Sequence, residues 1–227
     1  MPTLNWLRNE FSYGYDSGNV LSLFPNKVRR IEEKIIGGSY RKMFEKGAKP
    51  FFKRDSKILE LGPGKGAWTR AFLKFLTQGE LHTIDFQDVT QWLKPEQYQG
   101  RLKCFQISGF EYAALPDNYY DFFWSIGVLC HNNSEDIKKI LAGIYPKMKK
   151  GAYSVHHYGN WEKLASYGWT LEKSNVPTEF KDKPDDEIWW PRNDSKKMST
   201  LAAAAGWEVL NPDLDVFKRD SVILLRK

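Results

Sequence analysis

The feature that most constrains the fold is a glycine turn that joins a short apolar strand to a helix. The segment ILELGPGKGAWT (residues 58–69) places Gly62, Gly64 and Gly66 directly after a strand-like run. Glycines there let the backbone turn sharply and let a ligand approach it closely, because no Cβ atom intervenes. Asp85 ends the next apolar run, where a carboxylate can accept hydrogen bonds from ribose hydroxyls. Turn, helix and acid together predict a nucleoside-containing ligand at the ends of parallel strands.

Short apolar runs continue to alternate with helical patterns along the rest of the chain. The alternation predicts a Rossmann-like α/β fold, a seven-stranded and mostly parallel sheet with helices on both faces and an antiparallel edge. Asn133 or Ser134 is expected to cap the helix that precedes the fifth strand. The predicted strands are residues 57–61, 81–85, 102–107, 121–128, 152–156, 207–210 and 221–225, and further helices are predicted at 67–76 and 196–205.

The length of 227 residues predicts one domain in four parts. These are an N-terminal helical extension (1–56), a ligand-binding core (57–157), an insertion that covers the substrate (158–194) and a C-terminal helix with a strand pair (195–227). The composition, 41% hydrophobic and 27% charged, excludes a disordered chain. Two cysteines predict free thiols in a reducing compartment. With no signal-peptide pattern and no long apolar run, we expect a cytoplasmic protein without a membrane partner.

The positive charge is concentrated at one end of the chain. Residues 1–57 contain twelve Lys and Arg against six acids, so they carry the whole net charge of +6. A basic chain with nine Trp invites a nucleic-acid interpretation. The acids are interleaved with the cations, however, which favours the solvated face of an amphipathic helix over a dedicated phosphate or RNA surface.

The glycine turn also resembles a known family motif. ELGPGKG (60–66) is similar to motif I of the class I S-adenosylmethionine-dependent methyltransferases, and Asp85 is similar to their ribose-binding acid. LPDNYYDFFWS (115–125) resembles the family's approach to strand four, and AGWEV (205–209) with DSVIL (220–224) resembles its C-terminal hairpin. The resemblance covers roughly residues 55–227 and implies S-adenosylmethionine as the cofactor.

A dinucleotide fingerprint is the competing alignment, with Gly62, Gly64 and Ala67 in the G-x-G-x-x-G/A positions. Two observations argue against it. Glu60 precedes the first glycine by two residues, where an acid suits a positively charged amino-acid end better than a pyrophosphate. The motif also starts near residue 58, which leaves no room for a separate catalytic domain.

The resemblance assigns the cofactor contacts residue by residue, with Phe86 beside the adenine. The family often has an acid after strand three, but this chain has ISGF (107–110) there, so Ser108 or backbone near Phe110 would serve the adenine amino group. The predicted cofactor residues are Glu60, Gly62, Gly64, Gly66, Trp68, Asp85, Phe86, Ser108, Gly109, Phe110 and Ser125.

Three of the four histidines fall at the carboxyl ends of predicted strands, where open α/β sheets bind ligands. His131 follows strand four, and His156 and His157 end strand five. An alcohol that accepts a methyl group must lose its proton, and histidine suits that role near pH 7. All three are catalytic candidates. His131 comes first, because the family often places a substrate-facing residue after strand four, and strand alternation lets only one of the other two face the pocket.

The insertion supplies the predicted substrate contacts. Residues 158–194 contain four of the nine Trp, and bulky rings can stack on a sugar or enclose a methylated cation. Arg192 can hold a phosphate or carboxylate. Plain packing of the insertion onto the domain is the alternative interpretation. The predicted substrate residues are Tyr13, Tyr15, Tyr158, Trp189, Trp190 and Arg192.

The leading functional interpretation is methylation of a small polar molecule on oxygen, such as a sugar or hydroxylated metabolite. N-methylation of a phosphorylated amino alcohol is the second, and RNA methylation and non-catalytic cofactor binding are the remaining ones. The chain contains neither an Asn/Asp-Pro-Pro-Tyr/Phe sequence nor a Cys-Pro pair of base methyltransferases, so nucleic acid is disfavoured. No carboxylate is suitably spaced from the histidines, so no metal site is predicted. The partner is a small-molecule substrate, and both a monomer and a homodimer remain open.

Overall fold

A seven-stranded sheet organises the computed structural model, which describes residues 16–227 except for the side chain of Glu179. The strand order is β3-β2-β1-β4-β5-β7-β6, in which β7 runs antiparallel to both of its neighbours and the other pairs are parallel. The strands are β1 (Lys57–Leu61), β2 (Glu80–Asp85), β3 (Leu102–Gln106), β4 (Tyr120–Ser125), β5 (Met148–Tyr158), β6 (Glu208–Asn211) and β7 (Ser221–Arg226).

Helices cover both faces of this sheet. Side-chain caps start several of them: the oxygens of Asn26, Ser39, Asn133 and Asp194 each accept a backbone N–H from the first turn. The helices are α1 (Lys27–Ile36), α2 (Tyr40–Gly47), α3 (Ala67–Phe75), α4 (Thr90–Leu93), α5 (Ser134–Ile144), α6 (Trp161–Tyr167), α7 (Thr178–Asp182) and α8 (Ser195–Ala204). None of these helices, all within residues 16–227, is both long enough and apolar enough to span a bilayer.

The core lies in two layers, because successive strand side chains point to opposite faces of the sheet. Ile58 and Trp124 face the layer that contains α2 and α3, where the rings of Phe44 and Phe72 stand 5.3 Å apart. Leu59 and Phe123 face the layer that contains α5 and α8. Both layers are closed by large buried side chains, so the loops at the carboxyl ends of the strands rest on a rigid base.

The fold class predicted from sequence is confirmed, with differences at some boundaries. Strand β1 has the predicted bounds, and Asn133 is the cap of α5. Strand β4 ends at Ser125 rather than at residue 128, because Gly127 takes a left-handed backbone (φ 73°) and turns the chain away. Strand β5 is longer than predicted, and the stretch predicted to be irregular contains α6 and α7. The four-part division of the chain stays a prediction.

Glu80 joins the strands at the amino ends of the sheet, opposite the loops that follow β1, β2 and β4. Its carboxylate accepts hydrogen bonds from Lys103 and Tyr119 and an ion pair from Lys57 at 2.8 Å, and it lies 3.2 Å from His82. Burial alone would raise the pKa of Glu80, but the hydrogen bonds from these four side chains outweigh it and hold the pKa well below its usual range. The folded state therefore favours the charged carboxylate.

Replacing Glu80 with Gln is expected to lower the free energy of unfolding at pH 7 by about 2 kcal/mol, the usual worth of hydrogen bonds to a charged group. Since the folded pKa is depressed, this contribution is present above the unfolded pKa near 4.5 and is lost as pH falls through the folded pKa. Urea unfolding at pH 7 and pH 3 measures it. The exposed pair of Glu135 with Lys139 gives the control, Glu135→Gln, with a change under about 0.5 kcal/mol. An equal loss at both pH values would contradict the assignment.

Candidate active site

The glycine turn after β1 forms a cradle that no other residue type would leave open. Gly62, Gly64 and Gly66 all take positive φ angles, of 67°, 54° and 82°. A Cβ atom on Gly62 would lie 2.4 Å from Cγ2 of Val128, in the loop after β4. One on Gly66 would lie 2.4 Å from Cδ2 of Leu93. The turn therefore brings bare backbone against two neighbouring loops, as close approach of a ligand requires.

Glu60, at the end of β1, is a buried acid beside this cradle. Its Oε2 accepts a hydrogen bond of 2.6 Å from the hydroxyl of Thr69 on α3. Burial raises the pKa of Glu60 to about 8, against the opposing effects of Thr69 and Arg70. A carboxyl group held so far from water becomes charged readily only when a cation comes to it. The site therefore suits a ligand with an ammonium group.

Asp85 ends β2 next to the turn and is also buried. Its Oδ1 accepts the backbone N–H of Gln87 at 2.9 Å, which fixes the carboxylate at the strand end. Phe86 follows it, and the side-chain amide of Gln106 donates to the carbonyl of Phe86 at 3.0 Å. The ring of Phe86 meets that of Phe110 edge-on at 6.4 Å. The loop after β3 thus lies beside Asp85, with Ser108 exposed and open space around Gly109.

Trp68 and Ser125 lie close to these elements in sequence, but their side chains are turned into the core. The ring of Trp68 packs 5.2 Å from both Trp124 and Tyr40. The hydroxyl of Ser125 is fully buried and lies 2.7 Å from Nδ1 of His156. The predicted cofactor contacts of these two side chains are therefore not supported by their geometry.

His131 lies in a short 3-10 turn (Leu129–His131) directly after β4. Its Nδ1 is 2.9 Å from the backbone carbonyl of Trp189, and because a carbonyl only accepts, Nδ1 carries the proton. The other nitrogen, Nε2, has no hydrogen-bond partner among residues 16–227. Burial is the main influence on the pKa of His131 and lowers it, whereas the hydrogen bond to the carbonyl of Trp189 raises it. At pH 7 the ring is therefore neutral, and Nε2 presents a lone pair.

His157, at the end of β5, faces the same side of the sheet and belongs to a buried charged cluster. Its Nδ1 accepts the backbone N–H of Gly127 at 3.1 Å, so in the neutral ring the proton sits on Nε2, which is 3.3 Å from Oδ2 of Asp220. Arg219 donates from Nε to the same oxygen at 2.8 Å and stacks over the ring of Trp190 at 4.8 Å. We call His157, Arg219 and Asp220 the histidine–carboxylate cluster.

His156 points to the opposite face, as alternation along β5 requires. It is fully buried between the hydroxyls of Ser125 and Ser154, with Phe123 at 4.5 Å. Burial lowers the pKa of His156 to about 3, so the ring stays neutral. The structure brings His131 and His157 together and leaves His156 in the core, where a catalytic role has no geometric support.

Trp189 and Trp190 belong to an aromatic cluster in the insertion, with Trp169 and Phe180. Neighbouring rings in it meet edge-on at 5.3 to 5.7 Å. Trp190 is buried, whereas Trp189 is 45% exposed. His131 stacks on Trp189 at 5.8 Å and meets Trp190 edge-on at 5.0 Å. Trp189 and Trp190 therefore both pack against the histidine after β4.

Arg192 and Tyr158 are used inside the protein rather than presented to a ligand. Arg192 donates to Oδ1 of Asp185 at 2.8 Å and to three backbone carbonyls in the segment 180–183, while Trp161 stacks on it at 5.2 Å. The hydroxyl of Tyr158 donates to the carbonyl of Pro212 at 2.9 Å. Their predicted substrate contacts are therefore not supported. The predicted residues Tyr13 and Tyr15 lie outside the described part of the chain.

Sequence reasoning missed Arg219 and Asp220 as site residues. In the sequence, Asp220 stands out only as the residue before the last strand. The pattern that could have indicated the pair is a base followed directly by an acid, just before the buried run 221–225. Within residues 16–227, no group of three or more His, Cys, Asp and Glu side chains is arranged to hold a metal ion.

Solved structures of S-adenosylmethionine-dependent methyltransferases share this fold. One from Aquifex aeolicus is 19% identical (TM-score 0.60, over 86% of this chain and 92% of that one), and one from Archaeoglobus fulgidus is 16% identical (0.57, 89% and 100%). The Burkholderia thailandensis 1,6-didemethyltoxoflavin-N1-methyltransferase, solved with S-adenosylhomocysteine, is 14% identical (0.57, 88% and 81%). No curated protein matches the chain.

The sequence itself matches one protein family. Residues 58–151, from β1 to the start of β5, match the methyltransferase domain family. This matched segment carries the glycine cradle, Glu60 and Asp85, and the solved structures that share the fold include methyltransferases that depend on S-adenosylmethionine. The glycine cradle and the two buried acids are of the kind that such a cofactor needs.

Proposed function

We propose that the chain is an S-adenosylmethionine-dependent methyltransferase that transfers the methyl group to a hydroxyl oxygen of a small polar molecule, with His131 as the general base. The observation that supports the proposal is the protonation pattern of His131. Its Nδ1–H is held by the carbonyl of Trp189, its pKa is lowered by burial, and Nε2 is left with a lone pair. A neutral, oriented imidazole is what removal of a hydroxyl proton requires.

The cofactor residues follow from the buried acids and the cradle. We assign the amino-acid end to Glu60, the ribose to Asp85, and the closest backbone approach to Gly62, Gly64 and Gly66. Phe86, with the loop of Ser108, Gly109 and Phe110, then borders the adenine. When bound, S-adenosylmethionine supplies a methyl group on a positively charged sulfur.

The residues around His131 position the acceptor and remove its proton. As the acceptor oxygen forms its bond to carbon, Nε2 takes the hydroxyl proton, and the imidazolium afterwards returns it to solvent. The N–H of Gly127 holds His157, and Asp220 lies beside its Nε2, so we assign His157 to shaping the acceptor pocket. Trp189, partly exposed and stacked on His131, is placed to cover the acceptor and exclude water. Alignment of the reacting groups supplies much of the rate in such a displacement.

N-methylation is the second candidate, and it would use the aromatic rings as a cage for a cation. The rings of Trp169, Phe180, Trp189 and Trp190 pack against one another, however, and Arg192 is committed to the insertion's own carbonyls. A cage needs ring faces turned toward a common cavity. The packing therefore favours the oxygen acceptor.

A reducing compartment, the cytosol, is the location we propose. Cys104 and Cys130 are both free. Burial raises the pKa of each thiol, which keeps it protonated and unreactive. Two unpaired cysteines are typical of proteins that fold under reducing conditions.

The acceptor class is tested by a screen with methyl-labelled cofactor against sugars, hydroxylated metabolites and phosphorylated amino alcohols. We expect label transfer to a hydroxylated compound, and NMR of the new methyl group then distinguishes an ether from an amine. A methyl group on nitrogen would overturn the proposal for oxygen, and transfer to RNA alone would overturn the small-molecule acceptor.

Glu60 makes a separate prediction for cofactor affinity. Its pKa of about 8 leaves it mostly protonated at pH 7, while a bound ammonium favours the charged form, so binding releases a proton. We expect the ratio of wild-type to Glu60→Gln association constants for S-adenosylhomocysteine to rise about tenfold from pH 6 to pH 7 and to level off above pH 8. Calorimetric titration measures both constants, and the ligand's own titration cancels in the ratio. A ratio independent of pH would remove Glu60 from the ammonium site.

A further inference from the structure

We propose that the outer face of α1, with the turn that precedes it, docks on an anionic lipid surface. The inference does not depend on which atom is methylated. It revises the expectation of no membrane partner, which considered only segments long enough to span a bilayer. We call this surface the docking face, and its residues are Leu23, Phe24, Lys27, Arg30, Ile31 and Lys34.

Two large apolar side chains stand out from the protein at this point. Phe24 is 88% exposed and Leu23 is 73% exposed, whereas the other exposed large apolar side chains among residues 16–227 reach 45% at most. Contiguous apolar exposure of this kind marks an interaction surface in a soluble protein.

Hydrogen bonds hold the turn that carries Leu23 and Phe24 in place. The hydroxyl of Ser22 donates to the carbonyl of Phe24 and accepts its N–H, both at 3.0 Å. The buried guanidinium of Arg29 donates to the carbonyls of Asn19 at 2.8 Å and Ser22 at 2.9 Å. A buried arginine thus fixes a turn whose tip points two apolar residues into solvent.

Three cations that face solvent follow the tip along α1. Lys27, Arg30 and Lys34 are exposed on one face of α1, at spacings of three and four, and none of them forms an ion pair within residues 16–227. The acid Glu33 is turned inward, where it pairs with Arg29 at 2.9 Å. Apolar residues beside a basic face are the two signals that stable attachment to an anionic membrane requires.

The surroundings of the tip favour lipid over RNA. Phe24 is the one aromatic ring of the docking face, so successive bases would have a single ring to stack on, whereas Phe24, Leu23 and Ile31 can enter a bilayer interface together. A cavity of about 310 Å³ opens beside Leu23, between α1 and α2, and its walls carry both signs of charge, from Arg29, Arg41, Lys42, Glu33 and Glu45.

The docking face is tied to the active site through the end of α1. The carbonyl of Ile36 accepts the backbone N–H groups of Lys218 and Arg219, at 3.2 and 3.0 Å. Arg219 holds Asp220 in the histidine–carboxylate cluster. The end of α1 is therefore joined by backbone hydrogen bonds to the segment that carries Asp220.

Sedimentation with vesicles tests the proposal on the whole chain. We expect the protein to sediment with vesicles of phosphatidylcholine and phosphatidylglycerol but not with phosphatidylcholine alone, and to be released by high salt. The Leu23→Ser/Phe24→Ser variant and the Lys27→Gln/Arg30→Gln/Lys34→Gln variant should each bind at least about tenfold more weakly. Both change exposed side chains, so unfolding temperatures should stay those of the wild type.

Matched controls place the same changes elsewhere. Leu210→Ser alters another exposed apolar side chain, and Lys74→Gln/Lys138→Gln/Lys150→Gln removes three exposed positive charges away from α1. Both controls should sediment like the wild type. If the control triple variant loses as much vesicle binding as the α1 triple variant, the binding depends only on net charge and the proposal is overturned. Single-stranded RNA binding without vesicle binding would also overturn it, as would a dimer that the Leu23→Ser/Phe24→Ser variant dissociates.

Discussion

Replacing His131 with alanine is expected to lower turnover about 10²–10⁴-fold, the usual contribution of a positioned general base. Cofactor affinity should stay unchanged, because Glu60, Asp85 and the glycine turn lie on other elements. The loss follows from removing Nε2, the nitrogen that the carbonyl of Trp189 leaves with a lone pair. Turnover with the acceptor identified by the screen and calorimetry with S-adenosylhomocysteine measure the two quantities separately.

The pH dependence gives a second signature of the same base. Burial lowers the pKa of His131 from its usual value of 6.5, so the neutral form persists to lower pH than for an exposed histidine. Wild-type turnover should be level at neutral pH and fall as pH drops through that lowered pKa. In His131→Ala this acid limb should be absent, because the group that titrates is gone.

His131→Asn separates catalysis from support of the insertion. The asparagine amide can still donate to the carbonyl of Trp189 but has no nitrogen lone pair to accept a proton. We expect it to lose as much turnover as His131→Ala. Recovery of turnover in the asparagine variant would assign His131 to positioning Trp189, and full activity in the alanine variant would end its role as base.

The parts of this site that could be predicted from sequence are those set by local geometry and parallel topology. The glycines after β1 can be predicted because they permit a backbone turn that other residues do not. Asp85, His131 and His157 can be predicted because they lie at or after the ends of strands. Parallel strands collect such ends at one edge of the sheet, so proximity follows from order alone. The placement of His156 away from His157 follows from the two-residue period of a strand.

The remainder depends on contacts between distant segments, which no local pattern encodes. The carbonyl of Trp189 that orients His131 is 58 residues further along the chain. The sequence predicts Arg192 as a ligand-binding arginine, but its guanidinium donates hydrogen bonds to backbone carbonyls in the same segment of the chain. Trp68 and Ser125 follow the correct elements but point into the core, because the helix and strand rotations that decide this are set by packing. Local reasoning therefore predicts where the candidate site lies and leaves its hydrogen-bonding partners undetermined.

Replacing Asp220 with alanine is expected to lower the free energy of unfolding by about 3–5 kcal/mol, the cost of leaving a buried charge without its partner. Asp220 is fully buried, and its Oδ2 accepts from Nε and Nη2 of Arg219, both at 2.8 Å. Arg219 is itself almost buried, against Trp190. Without the carboxylate, its cation would remain in a site that water hardly reaches. Urea unfolding of the intact chain measures the loss.

Asp215 supplies the control, because it pairs with Lys163 at 3.4 Å on the surface and Asp215→Ala should cost less than about 1 kcal/mol. If Asp220→Ala does not fold, Asp220→Asn keeps an acceptor for Arg219 and isolates the loss of charge. The carboxylate also faces Nε2 of His157, so nitrogen NMR should find the proton on Nε2 in the wild type and a less uniform tautomer in Asp220→Asn. If Asp220→Ala loses as little stability as Asp215→Ala, Arg219 must reach water in the absence of Asp220. If the tautomer of His157 is unchanged in Asp220→Asn, Gly127 alone orients His157.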